Sequence, residues 1–343
     1  MSISKKHNLT DREAVVLIAV IEGYIENGTP VSSVYIKDHY QLDVSPATIR
    51  NEMATLEDKG FLTHLHTSGG RVPTDSGYRF YVNTLQSIHT LDLPVGQDME
   101  KELLTISNNV DELLGATAIM LAKISRMFGV VTISGYQQST LTDIELVPIQ
   151  GDRVMLVLAL DTGLIKSIVL NLDILINNKR IRNITQLLKD RLVGLSLKDI
   201  QTTINHRLND TELYAHELVQ VLINERHTYF SIDRNNTIYT SSTNVLLDQP
   251  EFQDLSVYQR ILPALEKPFL NNHFKENFNL NSDNTLIGTE NGDDRLEECS
   301  IITTQFESGM IQGRIGVIGP KRIPYLSLQS LLKKFTEIVQ SAI

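Results

Sequence analysis

The residues best suited to a chemical role lie between residues 31 and 81, and their types favour contact with DNA. Arg50 and Asn51 stand side by side, and Arg71 follows the pair Gly69-Gly70. An arginine side chain forks onto guanine and an asparagine onto adenine in the major groove. Glycines let backbone N–H groups approach a phosphate, and an arginine beside them can enter a minor groove. This pattern predicts recognition of a duplex rather than catalysis.

Other groups that could do chemistry have simpler interpretations. His64 and His66 could face a metal from one strand, but no third or fourth ligand is spaced nearby. The acidic stretch from Glu290 to Glu298 lacks the spacing of a calcium loop. The glycines that recur every three residues near the C-terminus match neither the dinucleotide fingerprint nor a phosphate loop: Gly313, Gly316 and Gly319. No nucleophile elbow, zinc-protease motif or Walker motif occurs, so we predict no catalytic residues, no metal, no cofactor and no enzyme activity.

The composition is that of a globular protein in a reducing compartment. The 343 residues, 41% of them hydrophobic, suggest two or three domains. The only cysteine, Cys299, cannot form an intrachain bridge, and its carboxylate neighbours would raise the pKa of the thiol. No apolar run approaches the ~18 residues of a membrane span, and no basic start precedes an apolar core. We therefore expect a cytoplasmic protein without a membrane partner.

The charge balance limits how the chain could bind DNA. Its formal net charge of −10 argues against a protein that coats nucleic acid non-specifically, because such binding depends on phosphate neutralisation by Lys and Arg. Even residues 1 to 90 carry eight Lys and Arg against ten Asp and Glu. Any contact with DNA must be local, so the prediction depends on where the charges lie.

Three helices are predicted around these groups. Thr10 and Glu13 have capping-box spacing, and the first helix should end at Asn27-Gly28. Ser32 should cap a second helix that runs to about Tyr40. Ser45, with Pro46 after it, should cap a third helix that ends at Gly60. Two short helices joined by a four-residue turn form a helix-turn-helix.

The third helix has one apolar and one small, polar face. Ile49, Met53 and Leu56 form a stripe to be buried. The opposite face holds Ala47, Arg50, Asn51 and Ala54, with Thr48 and Thr55 on one flank. Ser45, Thr48 and the free N–H groups at the helix start could hold phosphate. The alternative interpretation is the solvated face of an ordinary surface helix.

A β-wing is predicted next. Residues 61–66 should form a strand, 67–70 a turn, and 71–72 the returning strand. Thr74 should cap a helix that buries Tyr78, Tyr81, Val82 and Leu85. The sequence thus predicts a winged helix, whose DNA contacts are expected at Ser33, Ser45, Ala47, Thr48, Arg50, Asn51, Thr67, Ser68, Gly69, Gly70 and Arg71.

The rest of the chain alternates between strands and helices. A polar segment with Pro94 and Gly96 reads as a linker, followed by a long helix from about Met99 to Met127. Strands are predicted at residues 130–134, 142–148, 154–160 and 164–170, helices from about 175 to 226, short strands from 228 to 242, a helix from 257 to 265, strands at 285–288, 300–306 and 313–318, and a last helix from about 326. Strands that are interrupted and then resume suggest an α+β multidomain protein in which one domain is inserted into another.

Several strings resemble the HrcA family of bacterial heat-inducible transcription repressors. They are SPATIRNEM from Ser45, TSGGRVPTD from Thr67, GYRFYV from Gly77, LTDIELVP from Leu141, NVL from Asn244, QPEF from Gln249 and GVIGP from Gly316. The resemblance covers nearly the whole chain. Gly69 is a departure, because the family usually has alanine there, and it should loosen the wing turn only slightly.

The resemblance implies a domain plan and a function. The plan is a winged helix (1–86), a linker (87–98), a GAF-like α/β domain in two parts (99–173 and 279–343) and an inserted α+β dimerisation domain (174–278). The function implied is repression of chaperone genes from an inverted-repeat operator called CIRCE, with activity controlled by the GroEL/GroES chaperonin. Its partners would be double-stranded DNA, a second copy of the chain and the chaperonin, and operator binding would place it on the nucleoid.

Elementary energetics also favour a dimer. One small DNA-binding module buries only about 600 to 1,000 Å² on DNA, and two half-sites raise the affinity and define an inverted repeat. The competing hypothesis is a small-molecule sensor or enzyme whose GAF-like domain binds a ligand. Residues 141–170 and 283–320 supply no convergent set of catalytic groups, so we expect that domain to be a scaffold that fixes dimer geometry.

Overall fold

Antiparallel sheets and helices make up the chain, as a mixed α/β fold. The computed structural model describes residues 9–64, 69–85, 101, 103, 105, 110–134, 139–149, 153–172, 177–231, 238–277, 284–308 and 311–343. Within these residues the strands form sheets of two, five and three strands. The predicted linker at 87–98 lies outside them, and of the long helix predicted from Met99 the continuous part begins at Val110. No helix in this part of the chain is both long and apolar enough to cross a membrane.

The first three helices begin and end where their capping residues predict. They are α1 (Asp11–Asn27), α2 (Ser33–Tyr40) and α3 (Pro46–Asp58). At the start of α1 the Glu13 N–H donates to the Thr10 hydroxyl (3.2 Å), and the Thr10 N–H donates to the Glu13 carboxylate (2.7 Å). Gly28 ends α1 with a positive φ of 67°, a conformation that costs glycine little. The predicted capping box and stop signal are confirmed.

Local hydrogen bonds also fix the second and third helices. The hydroxyl of Ser32 accepts from the Tyr35 N–H, and that of Ser45 accepts from the Thr48 N–H (3.1 Å). Pro46 occupies the first position of α3, where its missing N–H has no helical partner to lose. Both caps were predicted from the sequence, and both are confirmed.

A short two-stranded sheet follows α3. Its strands are β1 (Leu62–Thr63) and β2 (Val72–Pro73), which pair antiparallel, and α4 (Asp75–Leu85) comes directly after them. Residues 65–68, which include the first half of the predicted turn, lie outside the described residues. Arg71 also exchanges two backbone hydrogen bonds of 2.9 Å with Val31, ahead of α2. The sheet is therefore joined to the segment that leads into the second helix.

The remaining described elements complete the chain. In order they are α5 (Val110–Ser125), β3 (Phe128–Ser134), β4 (Leu141–Pro148), β5 (Arg153–Leu160), β6 (Ile165–Asn171), α6 (Asn178–Leu192), α7 (Leu197–Leu208), α8 (Glu217–Asn224), α9 (Arg226–Tyr229), β7 (Ile238–Thr240), α10 (Leu255–Ile261), α11 (Lys267–Asn277), β8 (Asn284–Ile287), β9 (Cys299–Ser308), β10 (Ile311–Pro320) and α12 (Tyr325–Ala342). The strand predictions are confirmed with small differences at the ends. The prediction of strands from 228 is wrong at Thr228 and Tyr229, which lie in α9.

The five-stranded sheet brings together segments that are far apart in the chain. Its order is β7-β3-β10-β9-β8, with every neighbouring pair antiparallel. Helices α5 and α12 pack on strands β3 and β9 and on each other. A second apolar cluster includes Phe128, Ile238, Phe252 and Ile318 and joins β3, β7 and β10 to the segment before α11.

The three strands β4-β5-β6 form a separate sheet within an insertion. Helix α6 packs on β4, and Lys189 on that helix pairs with Asp143 (2.8 Å). Leu141 exchanges backbone hydrogen bonds with the turn after α6, donating to Leu195 and accepting from Gly194. Residues 139–231 thus leave the five-stranded sheet after β3, and β7 returns to pair with β3.

The predicted domain boundaries in the middle of the chain stay a prediction, and the contacts of this topology favour different bounds for the insertion. The boundary between 99–173 and 174–278 would separate β4, β5 and β6 from the helix that covers them. Residues 238–277 were assigned to the insertion, but their apolar side chains pack with the five-stranded sheet. Hairpin strands have the same sequence pattern whichever sheet they join, so periodicity alone could not place the boundary.

The Glu13 carboxylate joins α1 to the end of α3 and offers a test of this unit. Burial raises the pKa of Glu13, but hydrogen bonds from Lys59 and Thr10 outweigh that effect and hold it below 4.5. The Lys59 ammonium donates to both carboxylate oxygens, at 2.8 and 2.9 Å. A lowered carboxyl pKa stabilises the fold above the unfolded-state pKa, and this stabilisation is lost as the pH falls through the folded-state pKa.

We expect Glu13→Gln to lower the free energy of unfolding by about 1.5 to 3 kcal/mol at pH 7, because it removes charged hydrogen bonds. Thermal melts followed by circular dichroism at pH 7 and pH 3 check this. The difference from the unchanged protein should shrink at pH 3. Glu212→Gln, at an exposed site in the insertion, should change neither melt. A difference that is equal at both pH values would contradict the assigned ion pair.

Gly70 and Gly69 offer a matched pair at the end of the predicted turn. A Cβ on Gly70 would lie 2.6 Å from the Pro30 carbonyl oxygen, whereas one on Gly69 would meet nothing within 4 Å. We expect Gly70→Ala to cost about 1 to 3 kcal/mol of stability, the usual range for overpacking, and Gly69→Ala to leave the melting temperature unchanged. Equal melting temperatures for the two variants would show that the Val31–Arg71 pairing is not tight.

Candidate nucleic-acid interface

Helix α3 presents the face that its sequence predicts. Ile49, Met53 and Leu56 are buried beneath α1 and α2. The side of α3 turned to solvent carries Ala47, Arg50, Asn51 and Ala54, all exposed, with Thr48 and Thr55 half-buried at its edge. The small alanines leave the helix backbone accessible between the two longer polar side chains, so the face can approach the edges of bases.

Arg50 differs from the other cations of residues 9–64 and 69–85. Lys37 donates to the Leu42 carbonyl, Lys59 pairs with Glu13 and Arg79 with Glu290. Arg12 lies 3.8 Å from Glu52. Arg71 lies 2.7 Å from Glu57. Within these described ranges, Arg50 is the one Lys or Arg whose side chain forms no hydrogen bond or ion pair. Its guanidinium is available to a ligand without breaking an existing contact.

Pairing with cations offsets the carboxylates of α3. Glu52 faces Arg12 of α1, and Glu57 is contacted by both Arg71 and His64. The hydrogen bond from His64 and the charge of Arg71 lower the pKa of Glu57, against the opposing effect of burial. The acidic total of the N-terminal region therefore overstates the negative charge on α3, since both of its glutamates are matched by cations.

The start of α3 has less free hydrogen-bonding capacity than predicted. The Ser45 hydroxyl already accepts from the Thr48 N–H and shares a 2.9 Å hydrogen bond with the Thr48 hydroxyl. The Ile49 N–H donates to the Ser45 carbonyl, and Pro46 has no N–H. Only the Ala47 N–H at this end has no partner expected from helix geometry. A phosphate here would meet that N–H and the pair of hydroxyls.

Arg71 directly precedes β2, and contacts of both its side chain and its backbone hold it in place. Its side chain is 22% exposed and lies against Glu57, while its backbone pairs with Val31. Insertion into a minor groove would require the guanidinium to leave Glu57. The neighbouring Gly69 is exposed and Gly70 is buried, and the predicted contacts Thr67 and Ser68 lie outside the described residues.

Ser33 is the least accessible of the predicted contacts. It is 5% exposed, in the first turn of α2. Sequence reasoning, by contrast, passed over Arg12, which is 60% exposed and lies beside α3. Arg12 lies in the first turn of α1, where a positive charge is unfavourable with the helix dipole. That unfavourable position was the signal in the sequence that could have drawn attention to Arg12.

The other groups considered for chemistry have ordinary surroundings among the described residues. Within those ranges no group of three or more His, Cys, Asp or Glu side chains is arranged to hold a metal ion. His64, one of the two histidines considered for a metal, contacts Glu57 instead, and His66 lies outside the described residues. Burial raises the pKa of Cys299 to about 12, with Glu298 adding to the effect, so the thiol stays protonated.

Comparisons with known proteins identify the family of the chain and support its fold. Residues 111–328 match the family model described as HrcA protein C terminal domain. A relative from Chlorobium chlorochromatii (strain CaD3), named heat-inducible transcription repressor HrcA, is 33% identical and the match covers 92% of both chains. A relative of the same name from Thermoanaerobacter sp. (strain X514) is 31% identical over 96% of this chain and 95% of its own.

A solved structure supports the fold alone. It is the crystal structure of a hypothetical protein, 18% identical, with a TM-score of 0.64, and the match covers 98% of this chain and 100% of that one. The family model spans more than half of the chain, and the relatives span nearly all of it. The chain therefore belongs to the HrcA family.

Proposed function

We propose that this chain is a DNA-binding repressor of heat-shock genes that blocks promoters by occupying an operator. The observation that carries the proposal is the exposed face of α3, where Arg50 and Asn51 project without partners among the described residues and small side chains surround them. Several curated relatives are named heat-inducible transcription repressors. A repressor that acts by occupying its operator needs a DNA-binding surface and no catalytic groups.

We interpret residues 9–85 as a winged helix. The order α1-α2-α3-β1-β2-α4 supports this, together with the pairing of Val31 with Arg71 beside the two-stranded sheet. Helix α3 would be the recognition helix in the major groove, and the segment around Gly69 would be the wing. The contacts we retain are Ala47, Thr48, Arg50 and Asn51 on α3, with Ser45 at its cap and 67–71 at the wing.

We interpret the five-stranded sheet with α5 and α12 as the GAF-like domain. Its antiparallel order and the insertion between β3 and β7 support that interpretation. The inserted segment, 139–231 by its contacts, is where we place dimerisation. A homodimer would present two α3 helices to the two halves of an inverted repeat such as CIRCE. Such a protein would work in the cytoplasm, on the nucleoid.

We also propose control by the GroEL/GroES chaperonin, and the distant strand pairings of this chain support it. The central strand β3 pairs with β10, which is near the other end of the chain. Multidomain chains that depend on such distant pairings fold slowly and expose apolar surface on the way. A chaperonin would supply the assistance, and when heat fills it with other unfolded proteins, repression would fall.

Arg50 is the side chain expected to distinguish operator from other DNA. We expect Arg50→Ala to weaken binding to a CIRCE duplex by about 1 to 3 kcal/mol, because it removes a base contact. Binding to a scrambled duplex should weaken less. Thr48→Val should weaken binding to both duplexes similarly, because in this proposal the Thr48 hydroxyl contacts a phosphate, which both duplexes have. Arg182→Ala, at an exposed arginine of α6, serves as the control. Fluorescence anisotropy measures the affinity of the unchanged protein and of the three variants for each duplex. If Arg50→Ala lost the same affinity on both duplexes, Arg50 would not read a base.

The dimer and the chaperonin can be tested together by refolding. We expect protein refolded with GroEL/GroES and ATP to give more dimer by sedimentation, and more binding to the intact inverted repeat, than protein refolded alone. The reason is that dimerisation and operator reading both need the completed fold. A monomer that binds one half-site as tightly as the intact repeat contradicts the dimer. An equal yield with and without chaperonin contradicts the proposed assistance.

A further inference from the structure

A cleft lies where the N-terminal unit meets the five-stranded sheet domain. Its volume is about 530 Å³, within the usual range for small-molecule sites. One wall comes from α1, the two-stranded sheet and the start of α4, and the other comes from the segments that carry Glu251, Glu298, Lys321 and Arg322. Both parts of the protein therefore contribute to it.

A buried hydroxyl in this cleft has no partner. The Tyr78 side chain is 2% exposed and lines the cleft, and its hydroxyl forms no hydrogen bond within the described part of the chain. Burial raises the pKa of Tyr78 well above its ordinary value, so the hydroxyl remains neutral. A buried polar group without a hydrogen bond is unfavourable, and such groups call for an occupant.

The charged groups of the cleft leave one carboxylate in excess. Lys321 lies 3.1 Å from Asp75 and 3.5 Å from Glu298, so one ammonium serves two carboxylates. Arg322 is matched by Glu251 at 2.7 Å and donates to the Ile25 carbonyl. The described residues provide no arrangement of acidic and histidine side chains suited to a metal ion. An organic cation would balance the charge.

We propose that this cleft binds a small organic amine in its ammonium form. The ammonium lies near the carboxylates of Asp75 and Glu298, the Tyr78 hydroxyl accepts one of its hydrogen bonds, and its carbon chain covers the apolar surface of Val72 and Pro73. Because the two walls belong to different units, an occupant holds the N-terminal unit against the sheet domain. The site is separate from the exposed face of α3, and its occupancy does not require DNA.

The test uses n-butylammonium, with 1-butanol and butyrate as probes of nearly equal size and different charge. Tyrosine ring signals of the full-length protein, isotopically labelled, are followed by NMR during titration in 100 mM NaCl at pH 7. We expect n-butylammonium to shift the Tyr78 and Tyr24 signals with a Kd on the order of millimolar, as its few atoms allow, and the other two probes to bind at least about tenfold more weakly.

Matched variants locate the binding. Tyr78→Phe removes only the hydroxyl, and should fold with an unchanged or higher melting temperature while weakening n-butylammonium binding several-fold. Glu298→Gln should also weaken it, whereas Glu297→Gln, the exposed neighbour outside the cleft, should not. Equal affinity for the three probes, or n-butylammonium binding that survives both Tyr78→Phe and Glu298→Gln, would overturn the proposal.

Discussion

The orientation of the candidate DNA-binding face depends on how α4 docks against the sheet domain. Tyr78 and Tyr81 on α4 contact the ring of the buried Tyr325, with ring centres 5.9 and 6.3 Å apart. Between them, Arg79 donates to Glu290 and to the Thr285 carbonyl. The aromatic rings supply the buried contact area between α4 and the sheet domain, and the contacts of Arg79 fix the angle of α4. If this docking moved, α3 would point elsewhere without any change in its own residues.

Charge pairing explains how an acidic chain can carry a candidate DNA-binding face. Arg12 and Arg71 lie against carboxylates of α3, so they reduce local repulsion of phosphate, and either would have to leave its carboxylate to bind DNA. Arg50 remains available. A protein arranged this way gains little from non-specific attraction, because few counterions are released from DNA when it binds. The proposed function therefore requires an affinity that comes chiefly from base contacts and from two copies of the chain on one operator.

The sequence predicted structure that depends on neighbouring residues, but it did not predict contacts between residues far apart in the chain. The caps at Ser45 and Thr10 involve residues three positions apart, and the helices start where those caps place them. The Val31–Arg71 pairing and the Arg71–Glu57 contact join residues that no short pattern connects, so neither contact was predicted. The bounds of the insertion are hard to predict for the same reason: strands β4 to β6 have the pattern of hairpin strands, and that pattern does not indicate which sheet they join.

The position of β3 in its sheet has a consequence for biosynthesis. Val131 of β3 pairs with Ile315 of β10, and β7 closes the other side of β3. During translation β3 is made before both of its partners, so one edge stays unpaired until β7 has been made and the other until β10, near the end of the chain. Unpaired strand edges are templates for association with other chains. The docking surface of α4 at Tyr325 is also among the last parts synthesised. A nascent chain therefore carries the whole N-terminal unit long before the surface that holds that unit in a fixed direction has been made.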